Sequence, residues 1–147
     1  MTPREAVVRF YIDADILGLA KVLAELRNDI TYPGDPGTVI YKRRRPACPI
    51  TSPEVLVPDW IPEVASRGWL IVTRDSKIIT NVNEVTAVRE NNARMVALNQ
   101  TDARSKWGQL EIFMTRWRDI EALTTRPGPF IIRASRTAMT PISLDIP

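Results

Sequence analysis

Hydrophobic positions fall into short runs and helical stripes that alternate along the chain. Val7-Val8-Arg9-Phe10-Tyr11-Ile12 is β-branched and aromatic, and predicts a buried first strand that ends at Asp13. Ile16, Leu17, Leu19, Ala20, Val22, Leu23 and Leu26 then recur at helical spacing, which predicts a helix to about Arg27. Asp29-Ile30-Thr31-Tyr32 reads as a short second strand, closed by the turn signal Pro-Gly-Asp-Pro-Gly. Residues 33–58 hold six of the twelve prolines and predict a long Pro-rich loop of functional character. A helix opens at Asp59 with Pro62 in its first turn and stops at Gly68. Trp69 to Thr73 is continuously apolar up to its threonine, as suits a parallel strand covered on both faces. A helix over 84–92, a strand over 94–98, a helix over 109–123 and a strand over 129–133 follow, and the tail carries no clear pattern.

Strands alternating with helices predict a parallel sheet with helices on both faces. Sheets of this kind bind ligands outside the carboxyl ends of their strands, where the strand order reverses. A chain of 147 residues suits one domain, expected to span residues 1–147. The N-terminal run contains acidic residues and lacks the features of a secretion signal, and no apolar stretch nears the roughly 20 residues that span a bilayer. A cytoplasmic protein with no membrane association is therefore expected.

Composition prunes the chemistry. The chain has no histidine, which excludes Ser-His-Asp triads, Cys-His pairs and His-ligated zinc. Its single cysteine, Cys48, cannot form an internal disulfide and reads as incidental. Carboxylates without histidine suit hard cations such as Mg²⁺ or Mn²⁺. The net charge of +3 is mild, but Lys42-Arg43-Arg44-Arg45 concentrates four positive charges in the loop. Such a run suits phosphates, an acidic protein or solvent alike.

The acids at predicted strand and helix ends have two readings. Asp13 or Asp15 caps the first helix, Asp59 caps the helix it opens, with Glu63 favouring the dipole, and Asp75 starts a turn. Alternatively, Asp13, Asp15, Asp59 and Asp75 meet at the ligand edge of one sheet, where a cation must neutralise them. Arg74 and Lys77, flanking Asp75, would then meet a phosphate chain. Asp13-Ala-Asp15 also has a D-x-D form suited to a nucleophilic aspartate in phosphoryl transfer, though this leaves Asp59 without a role.

Strand–Asp13, Asp59-Trp-Ile-Pro-Glu-Val-Ala and Gly68-Trp-Leu-Ile-Val-Thr-Arg-Asp75 together resemble the PIN-domain superfamily of metal-dependent nucleases. More narrowly, they are similar to the PIN-like branch that includes VapC-type toxin ribonucleases. The resemblance runs from about residue 8 to 134 and is most specific over Asp59 to Ile78. It implies a three-layer α/β/α sandwich, Mg²⁺ or Mn²⁺, and hydrolysis of RNA phosphodiesters. By position it makes Asp13, Asp59 and Asp75 catalytic metal ligands, with Asp15 assisting. With RNA as substrate, the charges of Arg74, Lys77, Lys42, Arg43, Arg44 and Arg45 are expected to position its backbone. By analogy alone the resemblance implies a toxin held by a cognate antitoxin protein; homo-oligomers fit equally. One departure stands out: the mid-chain acid of these nucleases falls in the Pro-rich loop, which offers only Asp35 and Glu54, unless Asp15 or Glu63 substitutes. The rival reading is a degenerate PIN-like module that binds RNA or protein without cutting.

Overall fold

The computed structural model describes residues 2–75 and 82–145. In chain order the elements are β1 (Arg4–Glu5), β2 (Phe10–Ile12), α1 (Leu17–Leu26), β3 (Ile30–Thr31), β4 (Thr38–Ile40) and β5 (Arg43–Arg45). Then come α2 (Val57–Ser66), β6 (Leu70–Asp75), α3 (Val82–Glu90), β7 (Arg94–Asn99), α4 (Lys106–Thr115), α5 (Trp117–Ala122), β8 (Phe130–Ala134) and β9 (Met139–Ile142). The central sheet has the order β3-β2-β6-β7-β8-β9. Its first five strands are parallel, and β9 returns antiparallel to β8.

Strand alternation divides the core into two layers. Phe10, Ile12, Leu70, Val72, Val96, Leu98, Phe130 and Ile132 pack with α1, α4 and α5 on one face. Tyr11, Ile71, Met95, Ala97 and Ile131 pack with α2 and α3 on the other. Both sets are essentially solvent-free, which is why these strands read as unbroken apolar runs. The fold is thus a three-layer α/β/α sandwich, as the alternation of elements predicts. Among the described residues, no helix is long and apolar enough to cross a membrane.

Connectivity places the ligand crevice. From β2 the chain crosses by α1 to β3 on one side, then returns by α2 to β6 on the other. Strand order therefore reverses between β2 and β6, and the crevice opens beyond their carboxyl ends, at Asp13 and Thr73.

Four local differences from the sequence expectations have physical causes. The tail forms β9, whose backbone pairs with β8 although Pro141 lies within it; an edge position tolerates the lost donor. The predicted long helix is split at Arg116 into α4 and α5. Helix α2 starts two residues before Asp59, with Pro58 in the first turn, so Pro62 sits further inside. Within the Pro-rich loop, β4 and β5 form a hairpin whose two turn residues, Tyr41 and Lys42, adopt φ of 53° and 63°. That left-handed pair matches the two-residue turn whose twist suits a hairpin, without its usual Asn-Gly signature.

The hairpin corrects the picture of four exposed cations. Arg43 and Arg44 are exposed, but Arg45 is buried and its side chain turns inward. Its Nε donates to Asp35 Oδ2 at 2.7 Å, and Nη1 donates to the carbonyls of Ala24 and Arg27 at 3.0 and 3.2 Å. Asp35 also accepts from Thr31 Oγ1 and from the Gly37 amide, both at 2.9 Å. Gly37 has φ of 81°, and a β-carbon there would collide with the Arg45 carbonyl. Asp35 and Arg45 thus fasten the loop to α1 and β3. Replacing Arg45 with Ala leaves a buried carboxylate unpaired and is expected to cost about 3–5 kcal/mol. The exposed Arg44→Ala should stay within about 0.5 kcal/mol, and urea unfolding of the two variants measures the contrast.

Candidate metal centre

Asp13 directly follows β2, and its amide continues the ladder by donating to the Val72 carbonyl at 2.9 Å. Its Oδ1 accepts from the Ala14 amide at 2.6 Å, capping the short 3-10 turn Ala14–Ile16 that leads into α1. That same turn swings Asp15 back over the strand ends. Thr73, nearly solvent-free on β6, directs its hydroxyl between the two acids. The hydroxyl oxygen lies 2.9 Å from Asp13 Oδ2, and 3.2 and 3.3 Å from the two Asp15 oxygens. The Arg74 amide donates to Asp15 Oδ2 at 3.3 Å. The capping and clustering readings of Asp13 are thus both realised, one on each carboxylate oxygen.

A hydroxyl carries one proton, so Thr73 satisfies one carboxylate at a time and leaves the other short of a donor. The electrostatics reflect this. Burial raises the Asp13 carboxyl, against the opposing pull of the Thr73 hydroxyl and the Ala14 amide. Burial also pushes Asp15 up to about 6, and the charge of Asp13 adds to the shift, while Arg74 and Thr73 oppose it. Asp15 keeps a side open to solvent, yet protein surrounds enough of it for its charge to be disfavoured. The Nε of the half-buried Arg74 has no hydrogen-bond partner among the described residues, which leaves a cationic donor beside the pair.

The other expected site residues are placed as follows. Asp59 is exposed in the first turn of α2, where its charge favours the helix dipole. Helix α2 runs back against β6, so this turn faces the carboxyl edge, but among the described residues no hydrogen bond ties Asp59 to Asp13 or Asp15. Asp75 closes β6 in register with Asn99 of β7. Its side chain, and Lys77 altogether, lie outside the described residues. Asp35 is taken by its buried ion pair with Arg45 and does not stand in for the mid-chain acid, while Glu63 makes an exposed i,i+4 ion pair with Arg67 on α2. Lys42, Arg43 and Arg44 lie at the opposite end of the sheet. There β5 pairs with β1, just before β2 begins, and Asn28 Nδ2 donates to the Ile40 carbonyl before β3 begins. Trp60 is core, tilted against Tyr11 at 5.0 Å between ring centroids, and Cys48 is buried in the same layer.

Two groups escaped the sequence reading. The role of Thr73 depends on β2 and β6 being neighbours, which no local pattern reveals. Lys106 opens α4, and its Cδ lies 3.1 Å from where a β-carbon on Gly18 would stand, so an exposed cation flanks the first turn of α1. The signal available was the polar Asn99 to Ser105 segment, which starts at a strand's carboxyl end.

The donor set suits a hard cation: carboxylate oxygens and a hydroxyl, desolvated and mutually repelling. Asp13 and Asp15 supply two carboxylates; among the described residues, no third acidic or cysteine side chain completes a ligand group. In metal-free protein, Asp13→Asn removes the neighbouring charge and should lower the Asp15 pKa from about 6, while burial keeps it above that of an ordinary aspartate. Carboxyl carbon NMR titration reads this directly. A family model described as a PIN-like domain matches residues 8–100. No curated protein and no solved structure matches the chain.

Proposed function

The chain belongs to the PIN-like domain family, within a nuclease superfamily, and on that footing we propose that it is an endoribonuclease dependent on Mg²⁺ or Mn²⁺. The observation that carries the reading is the pair Asp13 and Asp15, held over one threonine hydroxyl at the strand-order reversal. Aspartates so placed repel each other unless a cation lies between them or a proton is taken up. Asp13, Asp15 and Asp75 would hold the ion, with Asp59 reaching it from the first turn of α2. A bound ion of this kind supplies Lewis acidity at phosphate oxygens and lowers the pKa of water.

The chain's own residues do the rest. Thr73 holds one of the two acids at a time, and the Ala14 and Arg74 amides orient Asp13 and Asp15. The positive charge of Arg74, which already acts on Asp15, would also attract a phosphate. Partial burial disfavours the charge of both acids, so a cation between them is worth more than at an open surface. The finer form of the proposal is a toxin whose antitoxin protein covers this edge; its support is the likeness of Asp59 to Asp75 to VapC-type ribonucleases.

A non-cleaving module is the second reading, favoured by one observation: the mid-chain acid Asp35 is locked to Arg45 and cannot serve as a ligand. One assay separates the two. Purified protein is given mixed RNA with Mn²⁺, Mg²⁺ or EDTA, beside Asp13→Asn and Asp75→Asn. Cleavage should need the metal and fall about 10²–10³-fold in either variant, the scale of losing one electrostatic stabiliser. A folded wild type that is inert in every metal favours the module.

A further inference from the structure

The most exposed aromatic at the acid end of the sheet has no structural duty. Trp107 is 75% exposed on the first turn of α4. Its position is set by the β7–α4 connection. Asn99 Oδ1 turns the chain just past β7 by accepting from the Thr101 and Asp102 amides at 3.0 and 3.3 Å. Ser105 then caps α4, accepting from the Gly108 amide at 3.0 Å. Gly108 has no β-carbon to strike the Asp102 carbonyl, which lets the connection fold tightly against the helix. The helix therefore starts at the carboxyl edge, with Arg104, Lys106 and Trp107 all exposed.

The aliphatic stem of Lys106 lies along Gly18, three residues beyond Asp15, which seats this cluster against the first turn of the helix that follows the acid pair. The cations expected to hold RNA, Lys42 to Arg44, sit at the far end of the sheet. Arg104 and Lys106 are thus exposed cations at the acid end of the sheet, on the α4 side. All three residues fall outside the matched region 8–100.

We propose that Arg104, Lys106 and Trp107 form a binding surface for unpaired RNA, an inference that rests on the nuclease reading for its choice of polymer. Trp107 stacks on a base, while Arg104 and Lys106 contact the flanking phosphates. An aromatic face flanked by cations binds single strands with little regard to sequence. Paired bases are already stacked on one another inside the A-form duplex and offer the indole no free face. The surface therefore selects loops and single-stranded segments and delivers their backbone to the acid edge.

The test is fluorescence anisotropy in EDTA, so that nothing is cut, with a short unstructured RNA and a duplex of the same composition. Trp107→Ala should weaken the single strand roughly 10-fold and leave the duplex nearly unchanged, with Trp107→Phe keeping most of the affinity. Arg104→Ala and Lys106→Ala should each lower the salt slope by about 0.7, as for one single-strand phosphate contact. Circular dichroism checks that each variant is folded. Equal single-strand binding by wild type and Trp107→Ala overturns the proposal, as does equal loss of both RNAs or no RNA binding at all. The cleavage assay is separate: Trp107-dependent binding by a protein that cuts nothing sinks the nuclease reading and leaves this surface standing.

Discussion

The side-by-side parallel run of β2 and β6, buried on both faces, is the constraint from which the rest follows. Both strands must place apolar side chains alternately into two layers, so Tyr11 and Ile71 share one face. Two residues further along, the same face carries Asp13 and Thr73, at the level where the helical layers no longer exclude polar groups. A slip of one residue in either strand would turn those side chains to opposite faces and separate the acid from the hydroxyl. Because strand order reverses here, neither α1 nor α2 covers the strand ends. Packing of the core thus fixes the geometry of the acid pair.

Much of this frame was legible in the chain. Unbroken apolar runs marked β6, β7 and β8, and Gly68 marked the end of α2, where its φ of 75° favours glycine. The acids after β2 and at the end of β6 were legible because strand ends of a parallel sheet are where ligands gather. The failures are equally physical. Arg45 looked like its neighbours because a basic run carries no mark of which member turns inward; its partner Asp35 lies across a turn held by Gly37. The β4–β5 hairpin was hidden because Tyr41 and Lys42 take left-handed conformations that their side chains do not advertise. Strand β9 was hidden by Pro141. Thr73 and Lys106 acquire meaning only once it is known which strand and which helix stand beside them.

Charge is distributed in a way that composition conceals. The mild positive excess resolves into a basic hairpin at one end of the sheet and, at the other, an acid pair with Arg74, Arg104 and Lys106 on the same edge. Ion pairs elsewhere are structural: Arg9 and Arg27 converge on Asp29, overcoming the effect of its burial and holding its carboxyl below the usual range. Asp13 and Asp15 are shifted the opposite way, with one hydroxyl and two amides to satisfy them among the described residues. Raised carboxylates in a crevice are a recognised mark of functional sites. Among the described residues neither acid has an ion-pair partner, which is the reason to expect a cation here and not at the Asp29 or Asp35 clusters.

The most direct test of that claim is the binding of Mn²⁺ itself, followed by electron paramagnetic resonance as the ion is titrated into folded protein. Saturable binding is expected, weakening sharply in Asp13→Asn and left intact in folded Arg45→Met, because the Asp35 cluster takes no ion. Binding that is equally strong in wild type and Asp13→Asn, or that is absent from the folded wild type, would contradict it.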